Sequence, residues 1–157
     1  MNININNIFI FIEQKKNDDV KSFLEANGLE IKDEFGRTSL LNAAFYNNVQ
    51  LLEWLIEKGA DINMQDNNGY TALHFAVQEA HDDSVTLLLD HSADVNIQDN
   101  NGNTPTWVCV MHWKGGKNFN NLKKMYEHNA DFSIVNNAGR SAKDIIPEKI
   151  MNDLKAK

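Results

Sequence analysis

Residues 59–76 read GADINMQDNNGYTALHFA and residues 92–109 read SADVNIQDNNGNTPTWVC, nearly the same eighteen letters at an offset of 33. Neither copy contains a catalytic motif, so the repetition concerns architecture. Outward from these copies the glycines set the phase: Gly36, Gly69 and Gly102 are each 33 apart, and Gly139 follows after 37. Each closes a turn-forming cluster, Asp33-Glu34-Phe35, Asp66-Asn67-Asn68, Asp99-Asn100-Asn101 or Asn136-Asn137-Ala138. A positive φ costs glycine little at such a place. Two residues on stands Thr38, Thr71, Thr104 or Ser141, a hydroxyl suited to cap the free N–H groups of a helix starting there. Pro105 after Thr104 suits the first helical position.

Behind each cap comes a short apolar stretch with small residues at matching places, Leu40/Ala43/Ala44, Leu73/Ala76/Val77 and Cys109/Val110. A second stretch follows, Leu51/Leu52/Leu55/Ile56 and then Val85/Leu88/Leu89, with the three and four spacings of one buried helical face. It ends at Gly59, Ser92 or Asn129, each followed by Ala-Asp, where a left-handed C-cap is expected. Two helices per unit result. Such a unit cannot bury its own apolar face and needs a neighbour of nearly the same shape, which near-identical letters encode.

A period of 33 built as turn, helix, turn, helix resembles the ankyrin repeat, whose pattern includes G-x-T-P-L-H-x-A-A and later L-L-x-x-G-A-D-x-N. Residues 66–98 keep Gly69, Thr71, Leu73, His74, Ala76, Leu88, Leu89, Ala93, Asp94 and Asn96 of it. Residues 33–65 keep Gly36, Thr38, Leu40, Ala43, Ala44, Leu55, Gly59, Ala60, Asp61 and Asn63. The resemblance implies an all-α solenoid of helix-turn-helix units with β-turn fingers, in one domain. Three full repeats, 33–65, 66–98 and 99–135, stand between an N-terminal capping unit, 1–32, and a C-terminal one, 136–157. The third repeat departs most, with Thr106-Trp107 in place of Leu-His and four extra residues within HWKGGKNFNN. This insertion, 113–121, is expected as a protruding loop between its two helices. In the first unit IFIFI reads as helix, on the unit's phase; in the last, Pro147 truncates the first helix.

The 157 residues suit one domain with a real core, and 42% hydrophobic with 24% charged residues are ordinary globular proportions. A net charge of −7 works against a nucleic-acid partner, which needs clustered Lys and Arg, and favours another protein, particularly a basic one. With Cys109 the only cysteine, no internal disulfide or thiolate metal cluster can form. The apolar run Ile8–Ile12 is too short to span a bilayer and lacks a basic residue ahead of it, so no targeting segment and no membrane partner are expected. Cytoplasmic localisation and a free monomer are the corresponding expectations.

No constellation rises to catalysis, so no enzyme activity and no cofactor are expected. His74 stands where the resembled motif has its histidine, which implies a hydrogen bond toward the neighbouring turn. His81-Asp82-Asp83 reads as a solvated turn with Asp82 or Asp83 capping the next helix. His91, His112 and His128 match no zinc spacing. Cys109 holds a small-residue core position and is expected buried and inert. KGGKN at 114–118 lacks the spacing of a phosphate loop and reads as a flexible loop.

Because the repeated letters are scaffold, function is sought where the copies differ. The resemblance implies that finger tips and the exposed side of each first helix line a concave face that binds proteins. At the tips these positions are Phe35, Arg37, Asn68, Tyr70, Asn101, Asn103 and Arg140. On the first helices they are Phe45, Tyr46, Gln78, Glu79, Met111, His112 and Trp113. Aromatic residues dominate interface energetics. The function expected is a non-catalytic protein-binding module, in sharper form a stoichiometric inhibitor such as a bacterial immunity protein neutralising a toxin. The acidic charge and an Asn-, Ile- and Lys-heavy composition of microbial character motivate the sharper form. The alternative is an adaptor or secreted effector that tethers proteins.

Overall fold

The computed structural model describes residues 2–156. Its helices are α1 (Ile8–Glu13), α2 (Asn17–Asn27), α3 (Ser39–Phe45), α4 (Val49–Glu57), α5 (Ala72–Glu79), α6 (Asp82–Asp90), α7 (Pro105–Met111), α8 (Phe119–Glu127), α9 (Ala142–Ile145) and α10 (Glu148–Lys155). A 3₁₀ turn, Lys114–Gly116, lies between α7 and α8. The odd-numbered helices form one row, α1 against α3, α3 against α5, α5 against α7 and α7 against α9; α4, α6, α8 and α10 form a second behind it. This is the expected all-α solenoid of stacked helix pairs. IFIFI is helical, and among the described residues the only isolated β-bridge joins Val135 to Ser141.

The core runs between the two rows and is continuous along the stack. Leu41, Leu51, Leu52, Leu55, Leu88, Leu122 and Met125 are fully buried in it. Thr38, Thr71, Thr104 and Ser141 are all N-caps, as their spacing predicts. Their hydroxyls do different things, however. Thr71 and Thr104 accept from the amides of His74 and Trp107, whereas Thr38 makes no such bond. Gly59, Ser92 and Asn129 all take the left-handed conformation that ends a second helix, with φ of 87°, 63° and 63°.

The letters shared by the copies build a ladder between fingers. The Asn67 amide donates to the Phe35 carbonyl at 3.0 Å, Asn100 to Asn68 at 3.0 Å and Asn137 to Asn101 at 2.9 Å. The same asparagines add side-chain rungs, Nδ2 of Asn67, Asn100 and Asn137 donating to the carbonyls of Glu34, Asn67 and Asn100. Gln65 Nε2 reaches the Gln98 carbonyl, and Gln98 Nε2 reaches that of Val135, each at 3.0 Å.

One expectation needs correction. Asp82 and Asp83 lie in the first turn of α6 and do not cap it; the N-cap is His81, whose Nδ1 pairs with the Ala44 carbonyl at 3.2 Å. Negative charge still suits that end of the helix dipole. The insertion 113–121 carries the 3₁₀ turn Lys114–Gly116 and is anchored where it enters α8. Asn118 is fully buried and donates through Nδ2 to the carbonyls of Val77 at 2.9 Å and His112 at 2.7 Å. Asn48 opens α4 in the same way, its Nδ2 donating to the Ile12 carbonyl. The residue before each of these second helices thus ties its unit to the first helix of the preceding one. Asn118→Ala strands two buried carbonyls and is expected to cost about 2 kcal/mol in urea unfolding; a loss of a few tenths would show that water replaces the amide.

Candidate functional site

The fingers and the first-helix row enclose a groove lined by residues of three fingers, Arg37 being the contribution of the first. Residue 37 follows the first finger's glycine, so the Asp33 turn fixes its backbone: Asp33 Oδ1 accepts from the amides of Phe35 and Arg37. The guanidinium carbon then lies 4.8 Å from the ring centre of Phe75, 5.3 Å from Phe35 and 5.7 Å from Phe45. Cation–π attraction at these ranges holds the planar group among the rings. Its Nε stands 3.7 Å from Asp66 Oδ2, too far for a hydrogen bond.

Asp66 differs from its counterparts. Each finger acid spends Oδ1 on two amides of its own turn. The second oxygen of Asp33 then receives Asn42 Nδ2, and that of Asp99 receives Asn103 Nδ2. Asp66 Oδ2 receives no hydrogen bond although its side chain is fully buried, and is balanced by the Arg37 charge alone. Burial of an ion on so few contacts is costly unless the opposite charge stays in place.

Tyr70 forms the next wall. Its ring stacks on His74 at 5.0 Å and leans on Phe75 at 5.2 Å, while Phe45 meets Phe75 edge-on at 5.6 Å. Burial, and then the carboxylates of Asp99 and Asp66, push the Tyr70 phenol up from its ordinary value, so it stays a neutral donor. The resulting hollow measures about 480 Å³. Of the positions expected on the concave face, Arg37, Phe45, Asn68, Tyr70, Gln78 and Asn101 line it. Asp66, Phe75 and Asn100 line it too and were not singled out from sequence. Phe75 occupies the variable place between His and Ala in the motif; a large ring there was the available signal.

The other expected positions scatter. Phe35, 52% exposed, and Tyr46 border a neighbouring recess of about 140 Å³ that also touches Arg37. Tyr46 packs edge-on against Phe45 at 4.9 Å, and burial, with Glu13 next, raises its phenol. Glu79 accepts from Gln78 Nε2. Asn103 is taken up by scaffold: its carbonyl pairs with His74 Nε2, and its side chain bonds Asp99 and Asn136. Met111 is exposed, and the carbonyl of His112 is occupied by Asn118. Trp113 faces the C-terminal helices, and Arg140 lies 5.7 Å over Trp107.

The reactive side chains are quiet. His74 is fully buried with both ring nitrogens engaged, and burial lowers it from 6.5 to about 4, so it is neutral and committed. Burial raises the Cys109 thiol well above the ordinary range, leaving no thiolate. Among the described residues no three His, Cys, Asp or Glu side chains gather as a metal site. No helix among them is long and apolar enough to cross a membrane.

Comparison with known proteins is consistent with this geometry. The family model for ankyrin repeats, in three copies, matches residues 8–99. Potassium channel AKT1 of Oryza sativa subsp. indica is 50% identical over 48 residues, 31% of this chain and 5% of the channel. The inhibitor of Bruton tyrosine kinase of Mus musculus is 41% identical over 70 residues, 42% of this chain and 5% of that protein. Ankyrin repeat protein 14 of vaccinia virus is 40% identical over 50 residues, 32% of this chain and 21% of that protein. The chain thus spans no more than 21% of the length of any of these three relatives. The matched span includes the unit read from sequence as an N-terminal cap and stops where the third repeat begins.

Proposed function

Because the chain belongs to the ankyrin-repeat family, whose repeats mediate protein–protein interactions, we propose that it binds a protein partner through the concave face, with the Arg37 groove as the centre of contact. The observation that carries this reading is an arginine held among three rings beside a buried carboxylate whose second oxygen receives no hydrogen bond. Arginine and aromatic residues in desolvated hollows dominate binding energy, because their geometry is fixed before the partner arrives. The side-chain amides of Asn68 and Asn101, which line the groove, supply donors and acceptors for a partner's backbone.

The finer form of this reading is a one-to-one blocker of a basic protein, such as an immunity protein against a toxin. Residues 1–113 carry 6 Lys and Arg against 17 Asp and Glu, a field that speeds encounter with a cationic partner. A tethering role is the second reading, and it is favoured by a separate cleft at the C-terminal end, described below. Arg37→Ala and Tyr70→Ala are each expected to weaken binding of a partner captured by the wild-type chain by about 2 kcal/mol, or roughly thirtyfold. Calorimetric titration, with unfolding midpoints as the control, checks this. Unchanged affinity in both correctly folded variants would remove the groove from the interface.

A further inference from the structure

The row of first helices breaks off early. α3, α5 and α7 have 7, 8 and 7 residues, whereas α9 has 4. Pro147 is the cause: it has no N–H to continue the helix and pushes the residue before it out of helical conformation. Ile146 is accordingly extended, with φ −75° and ψ 130°. Where α3, α5 and α7 continue for another turn, α9 leaves the end of α7 uncovered. A cleft of about 330 Å³ opens there, lined by Val110, Trp113, Ile145, Ile146, Pro147 and Ile150. That is near the small end of ligand cavities, enough for one or two apolar side chains. Met111, the last residue of α7, stands 58% exposed nearby.

The charge of the chain changes sign in this region. Against the acidic balance of residues 1–113, residues 114–157 carry 9 Lys and Arg and 5 Asp and Glu. Lys143 and Lys149 lie exposed on the two helices that form the cleft, and Lys117 and Arg140 are exposed on the insertion and the last finger. Of the acids on the same elements, Asp144 is engaged by the amide and hydroxyl of Ser141, both at 2.7 Å. Glu148 lies in the first turn of α10, and Asp153 is exposed further along it.

We propose that this cleft docks an amphipathic helical segment of a partner protein, apolar on one face and acidic on the other, which supplies the turn that α9 omits. The apolar face seats in the cleft between Trp113 and Ile150, and the acidic face meets Lys143 and Lys149. This surface is separate from the Arg37 groove and does not depend on it.

Two helical peptides with identical leucines at i, i+3, i+4 and i+7, one with glutamate and one with lysine at the remaining positions, test the proposal against the full chain by fluorescence anisotropy. The glutamate peptide is expected to bind saturably and about tenfold or more tightly than the lysine peptide, with affinity falling as salt is added. The paired substitution Lys143→Glu and Lys149→Glu, at exposed positions that leave the fold intact, is expected to erase or reverse that preference. Trp113→Ala, checked for folding by circular dichroism, is expected to abolish binding. Equal or tighter binding of the lysine peptide, no saturable binding of the glutamate peptide, or an unaltered preference in the double-charge variant overturns the proposal. So does sedimentation showing self-association that Ile150→Asp abolishes, since a second copy would then be the occupant.

Discussion

Gly69→Ala is expected to lower the unfolding free energy by about 2–5 kcal/mol, while Gly139→Ala lowers it by about 1–2 kcal/mol. Both glycines close the same turn and both have positive φ, +81° and +70°. That conformation alone accounts for the smaller figure. At Gly69 an added Cβ would also lie 2.7 Å from the Asn100 amide nitrogen and 2.9 Å from Asp99 Cα. These are backbone atoms of the next finger, so no side-chain rotation relieves the contact, and the two fingers themselves must move apart. At Gly139 nothing lies within 4 Å, because no further finger follows among the described residues. Urea unfolding of the two variants side by side separates the conformational term from the stacking term. Equal losses would mean that the fingers do not approach as closely as described.

Acid is expected to remove about 3 kcal/mol of stability through His74, and a His74→Gln variant is expected to lose that much less between pH 7 and pH 4. The fully buried ring accepts at Nδ1 from the Thr71 amide at 3.1 Å and pairs with its hydroxyl at 2.8 Å, and Nε2 donates to the Asn103 carbonyl at 3.1 Å. A proton added at Nδ1 would face the Thr71 amide N–H, in a site that cannot hydrate the charge, and burial therefore lowers the group to about 4. The unfolded chain, near pH 6.5, binds that proton first. Stability from this residue is therefore fully present above pH 6.5 and drains away as pH falls toward 4. Carboxylates titrate over part of the same range, so the informative quantity is the difference between wild type and variant in unfolding free energy at each pH. Parallel curves would show that His74 keeps an ordinary affinity for protons in the fold.

Much of the fold could be read from spacing, because periodic sites face identical environments and the same residue solves each. Gly36, Gly69 and Gly102 gave the finger positions, and the hydroxyl two residues on gave each helix start. What spacing could not give was anything carried by contact between unlike positions. The bridging role of Asn48, His81 and Asn118 is an example: three residues of two types, offset by the insertion, perform one task. The groove was half legible for the same reason. Arg37 and Tyr70 stand out as letters that differ between neighbouring copies, but Asp66 is a repeated letter whose singular state arises only from what its neighbours fail to donate. Phe75, a buried ring in the variable place of the motif, walls the groove without having drawn notice in the sequence.

The cross-finger ladder makes the chain extensible by its own grammar. Gln65 reaches for position 98 as Gln98 reaches for position 135, and Asn100 leans on the second finger as Asn67 leans on the first. A duplicate of residues 66–98 spliced in after the original would meet a ladder donor for every ladder acceptor at both seams. Copying errors in the gene that add whole units therefore leave this ladder unbroken, and selection can lengthen the molecule before it decides what the new stretch of surface should hold.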